Sequence, residues 1–135
     1  MNYLRVKGVP FTIAGKTYEL AFSLNVMADI YDKYGSTTAF MKEFNAALKS
    51  PLLSMSIFKW VLCVLVNDAI DEQNAHAQEK TEKLTERQIG RLLRVKDYAE
   101  LQQAVVAAWR QSMPESEESD EDDEETESEE EAGKN

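Results

Sequence analysis

Apolar residues recur along this chain with two periods, and the change from one to the other divides it. Near the start, residues 10–14 and 17–22 are rich in Phe, Ile, Thr and Tyr. In the second segment Tyr18, Leu20 and Phe22 alternate with Glu19 and Ala21. That period of two turns one face of a strand toward a core. Gly15-Lys16 lies between the segments, and glycine accepts the positive φ of a tight turn, so the pair is expected to form a β-hairpin. Residues 3–7 offer a third strand. A hairpin is marginal alone in water, so this one must cover something.

From Ser23 onward the period is helical. Ser23 suits an N-cap, Gly35 suits a stop, and Leu24, Met27, Ile30, Tyr31 and Tyr34 fall on one face between them. A second helix is expected over 39–49, capped by Ser36, Thr37 or Thr38, with Phe40 and Phe44 one turn apart. Ser50-Pro51 then reads as a cap followed by proline at the first helical position. The third helix, from 51 to about 74, is apolar nearly all round from Ile57 to Val66, which marks a helix buried on most sides and so the central element. Residues 74–82 are polar, a frayed end or a loop. Thr85 and Gln88 have capping-box spacing for a short helix to Arg94, and Asp97 and Glu100 repeat it for a last helix ending near Met113. The apolar stripe of that helix is Tyr98, Leu101, Val105, Ala108 and Trp109, and Pro114 closes the pattern. The expected fold is α+β, mainly α: an N-terminal β-hairpin on a bundle of about five helices.

Beyond Pro114 no periodicity remains. Residues 115–131 hold thirteen acids, no base and no apolar side chain. Such a stretch buries nothing to offset the entropy lost on ordering, so it is expected to be a disordered acidic tail. The chain therefore divides into a globular domain, 1–114, and a tail, 115–135. The formal net charge is −10, yet residues 1–114 hold fourteen bases and twelve acids, about +2 by difference. The domain is close to neutral and the acidity is local. No apolar run approaches the roughly 20 residues of a membrane span, and residues 1–10 lack the apolar core of a secretory signal. A protein without membrane contact, kept in the cell that made it, is expected.

Candidate chemistry is sparse. Cys63 stands alone in an apolar run, so it forms neither an intramolecular disulfide nor a thiolate cluster. His76, the single histidine, is thirteen residues away, about 20 Å along a helix, too far to act as its base. Packed thiol and solvated imidazole are the plainer readings. Asp68, Asp71 and Glu72 share a helical face that could hold a hard cation, but EF-hand spacing is absent and a solvated face accounts for them. The five glycines form no phosphate-binding fingerprint. Arg87, Arg91, Arg94 and Lys96, with Gln88 among them, make the one basic patch fit for nucleic acid. An exposed helix face explains it as well, and the acidic tail would compete with DNA. Phe40, Phe44 and Trp109 sit on the less hydrophobic helices and are the candidates for partner contact, against core packing. Tyr18, Phe22, Tyr31, Phe58 and Trp60 are assigned to the core. The expectation is a binding protein without catalytic, metal or cofactor residues, and not an enzyme.

One segment carries more. Phe11 to Gly35 includes Gly15-Lys16-Thr17-Tyr18-Glu19-Leu20, then Ser23-Leu24-Asn25 with Ile30 five residues on, then Gly35. This resembles the opening of the tail assembly chaperones of long-tailed, siphovirus-type bacteriophages of Gram-positive hosts. Those begin with Gly-Lys-x-Tyr-x-Leu in a hairpin and Ser-Leu-Asn-x-x-x-x-Ile in the helix after it. Their layout, a helical domain followed by a charged C-terminal stretch, is similar too. The resemblance implies a protein of the host cytoplasm that binds the tape measure protein, recruits tail tube subunits and is absent from the mature virion. It also implies a programmed −1 frameshift that makes a longer form, itself a partner, and it allows homo-oligomers. Gly133, Lys134 and Asn135 can be encoded GGA AAA AAC, which contains the slippery heptamer A AAA AAC. The other reading is a regulatory protein-binding module whose acidic tail mimics nucleic acid.

Overall fold

The computed structural model describes residues 8–50 and 55–114. The hairpin is β1 (Val9–Ile13) and β2 (Lys16–Leu20), antiparallel, with Phe11 opposite Tyr18 and Ile13 opposite Lys16. That register makes Ala14-Gly15 the turn, one residue earlier than the expected Gly15-Lys16. Both residues have positive φ, 51° and 82°, as a two-residue turn matching the strand twist requires. Phe11, Ile13, Tyr18 and Leu20 point inward and are buried. On the outer face the Thr12 and Thr17 hydroxyls lie 2.7 Å apart.

Helix α1 (Leu24–Tyr34) starts as expected. The Ser23 hydroxyl accepts the Val26 N–H, and Gly35, at φ 82°, returns its N–H to the Tyr31 carbonyl. Its buried face differs from the expected one. Val26 and Ile30 are enclosed, while Leu24 is 87% exposed and Tyr31 58% exposed. Leu24 and Tyr31 lie two turns apart on a helix flank left exposed among the described residues, so tertiary placement rotates the seam away from the most apolar stripe. Helix α2 (Thr37–Lys49) is capped by Ser36, whose hydroxyl accepts the Ala39 N–H. Ser50 closes α2.

Helix α3 (Met55–Ala75) is the central element: it touches β2, α1, α2, α4 and α5. Its buried residues run round the helix, from Ile57 and Phe58 through Val61, Leu62, Cys63, Leu65 and Val66 to Ala69 and Ile70. A run without a polar side is what this position demands. The polar segment after α3 is an extended strap. Asn67 accepts the Leu84 N–H and donates to the Leu84 carbonyl, both at 2.8 Å. Seven residues further, Asn74 does the same for Thr81, at 2.8 and 2.9 Å. Two helical turns rise about 10.5 Å and three extended residues span about 10 Å, so the spacings match. Lys80 donates to the Asn74 and Ala77 carbonyls and closes the helix end.

Helix α4 (Glu86–Leu92) begins with the expected capping box: Gln88 N–H to the Thr85 hydroxyl, Thr85 N–H to the Gln88 side chain. The next cap is not where the spacing put it. Asp97 accepts the Arg94 N–H at 2.8 Å and closes a 3-10 turn (Val95–Asp97), and its side chain does not cap α5 (Tyr98–Ser112). The carboxylate satisfies the first free N–H it meets, three residues upstream. α5 lies against α3 and the hairpin, and the Ser112 hydroxyl accepts the Phe22 N–H at 2.9 Å, joining the hairpin exit to the end of the last helix.

The architecture is the expected one, a two-stranded hairpin on five α-helices among the described residues. The expected strand at 3–7, the helix start at Pro51 and the tail at 115–135 lie outside the described residues.

Candidate functional site

The partner-contact candidates belong to an aromatic cluster inside the molecule. Phe40 and Phe44 stack with ring centroids 5.3 Å apart and are 0% and 3% exposed. Phe44 meets Phe58 at 5.3 Å, and Trp109 lies 6.1 Å from both Phe40 and Phe44. Trp109 also takes an edge-to-face contact with Phe22 at 5.0 Å and stays half-buried. Phe40 and Phe44 thus offer no surface in this conformation. The modest hydrophobicity of α2 reflects its solvated side. Tyr31, assigned to the core from its stripe, is on the surface instead.

The sparse reactive groups are apart. Cys63 is buried, and its thiol donates to the Leu84 carbonyl at 3.5 Å. Burial is the main cause that pushes the thiol above its usual pKa, with Glu86 adding to it. His76 sits beyond the end of α3, with Nε2 3.4 Å from a Glu72 oxygen. The face with three acids is divided among other partners. Asp68 accepts the Ser23 hydroxyl at 3.0 Å, Asp71 pairs with Lys83 at 3.3 Å, and Glu72 lies against His76. Among the described residues no group of three His, Cys, Asp or Glu could hold a metal ion. Asp68 is half-buried, and desolvation raises its pKa above the usual carboxylate value. Asp71, Asp29 and Glu72 add to that rise and the Ser23 hydrogen bond opposes it.

A groove of about 370 Å³ lies between the start of α3, α4, the 3-10 turn and the start of α5. Ile89, Leu93, Val95, Tyr98 and Leu101 supply its apolar lining, and Lys59, Arg94 and Asp97 its charged lining. Val95 is 70% exposed and Leu92, next to Leu93 in the chain, 44% exposed. Tyr98 reaches Phe58 edge-on at 5.9 Å, and its buried hydroxyl has no hydrogen-bond partner among the described residues. Desolvation raises the Tyr98 pKa. Of the basic patch, Arg94 lines this groove, and the other members lie on the same segment. Residues 87–96 hold Arg87, Arg91, Arg94 and Lys96 and no acid. The Lys59 side chain lies over Gly90: a β-carbon there would meet its δ-carbon at 3.2 Å and its ammonium nitrogen at 3.6 Å. Among the described residues none of these five cations is within 4 Å of a carboxylate oxygen. The sequence made the cations legible; the apolar floor between them comes from three elements meeting and had no linear signal.

Two features escaped sequence reading. The exposed flank of α1, Leu24, Ala28 and Tyr31, hides within a helix that has a second apolar stripe. Asn67 and Asn74 look like ordinary polar residues, and only their seven-residue spacing hints at a shared task. No helix among the described residues is long and apolar enough to cross a membrane. No family model, characterised protein or solved structure matches the chain.

Proposed function

We propose that this protein is a tail assembly chaperone of a long-tailed bacteriophage, one that binds the tape measure protein and recruits tail tube subunits. It acts in the host cytoplasm, stays out of the finished virion and catalyses no reaction. The observation that carries the reading is the motif in residues 11–35, Gly-Lys-x-Tyr-x-Leu followed by Ser-Leu-Asn-x-x-x-x-Ile and Gly. In the fold these residues have distinct work. Gly15 makes the turn, Tyr18 and Leu20 fill the core, Ser23 caps α1, Ile30 seals it and Gly35 ends it. A helical protein with apolar surface suits the task, because a long helix-rich client exposes apolar stripes before a tube encloses it. Weak contacts repeated along such a client give avidity while each remains reversible. The acidic run keeps a crowded complex soluble and is available to basic surfaces on the tube protein.

The gene tests the reading. A AAA AAC across the codons for Gly133, Lys134 and Asn135, with an open −1 frame, is expected, and a very long helix-rich reading frame should follow. Other codons at Lys134 and Asn135, with no such neighbour, count against it.

The thirteen acids of residues 115–131 favour a second reading, a nucleic-acid mimic that sequesters a basic partner. Substituting those acids by Gln and Asn separates the two. A mimic loses nearly all partner binding and shows steep salt dependence before the change. A chaperone retains most of its grip through the helices.

A further inference from the structure

We propose that the groove between α3, α4 and α5 is a docking surface for an acidic polypeptide segment, and that its occupant is residues 115–131 of this same chain. The inference does not require the phage reading. Two observations meet in it. On one side stand Lys59 and Arg94, which line the groove together with the single acid Asp97, and Arg87, Arg91 and Lys96, which share the acid-free stretch 87–96 with Arg94. Among the described residues none of the five cations has a carboxylate oxygen within 4 Å. On the other stand thirteen acids in seventeen residues with no cation among them. Charges of one sign gathered this closely repel, and each excess relieves the other.

The chain is long enough. The groove is at the beginning of α5, where Tyr98 and Leu101 line it, and the acidic run begins three residues after α5 ends. Fifteen helical residues rise about 22 Å, and about seven extended residues return that distance. Acids from about Asp122 to Glu131 therefore reach Arg94, Arg91 and Lys59. Docked there, the run shields the exposed Val95 and Leu92. A competing partner must displace it, so the surface is reserved for ligands that bind better than the chain's own acids. The contact is ionic and exposed, which makes it reversible and sensitive to salt.

A nitroxide at Ser119→Cys in the full chain tests this by paramagnetic broadening of backbone amide signals. Cys63 is buried and its thiol resists ionisation, so the introduced thiol takes the label. At low salt the signals of residues 87–96 should lose most of their intensity, while those of α1 keep theirs. The loss should vanish in about 1 M salt, where the screening length is about 3 Å, and in the Arg91→Glu/Arg94→Glu variant, whose substitutions are on the exposed side. Absence of broadening at 87–96, or broadening that survives salt or charge reversal, overturns the proposal. So does broadening in a mixture of labelled chain with isotope-enriched unlabelled chain, which assigns the occupant to a second copy.

Discussion

At the level of single residues, the side chains that do most are polar ones with both hydrogen-bonding ends in use. Asn67 binds the two backbone groups of Leu84 as a neighbouring strand would, and thereby ties the strap to α3. Asn67→Ala leaves the Leu84 N–H without its partner and the Leu84 carbonyl with only the weak Cys63 thiol donor. Its expected cost is about 1–3 kcal/mol, read by denaturant unfolding, with faster hydrogen exchange at the Leu84 amide as the local signature. Asp68 makes the opposite kind of statement. Its folded pKa is raised, chiefly by desolvation, so the folded state holds this proton more tightly than the unfolded chain does. Its contribution is most favourable below the unfolded carboxylate pKa and is lost as pH rises through the folded value. Asp68→Asn keeps an acceptor for Ser23 and removes the charge. The variant should gain stability relative to the parent as pH rises from about 3 to 7, measured as the difference between two unfolding series. A constant difference across that range contradicts this account of Asp68.

Among the elements, the hairpin turn and the helix starts show how far the sequence reaches. Ser23, Gly35 and the Thr85/Gln88 box are each recognisable because a cap needs a specific side chain at a specific offset. The turn was misplaced by one residue because Ala14 gives no sign of adopting positive φ. Ala14 carries the strain of that choice at φ 51°. Ala14→Asn gives the Asn-Gly pair that such turns prefer and should stabilise by about 0.5–1 kcal/mol, seen as a shift in the denaturant midpoint at constant slope. Asp97 shows a related limit, since spacing alone does not say whether its carboxylate caps the helix after it or, as here, takes the Arg94 N–H before it. The buried seam of α1 was not legible either. Its two apolar stripes, Val26 with Ile30 and Leu24 with Tyr31, differ only in what lies opposite them.

For the whole molecule, the central position of α3 was legible because a helix with no polar side can only be surrounded. The aromatic cluster was half legible. Phe40 and Phe44 share a face by spacing, yet which side of α2 meets α3 depends on long-range packing. Phe44→Ala removes a ring that touches Phe40, Phe58 and Trp109 together. It should cost about 3–5 kcal/mol, enough to remove much of the stability of a domain this size. The groove was not legible, because its lining is assembled from residues more than thirty positions apart in the chain, such as Lys59 and Tyr98.

The claim that this chain shields an aggregation-prone helical client is tested most directly by light scattering. The long helix-rich protein that the proposed function expects to be encoded downstream is diluted from denaturant with and without the full-length chain. Scattering should fall steeply as the chain is added and level off only when many copies are present per client. Scattering unchanged at a large excess of the chain would contradict the account.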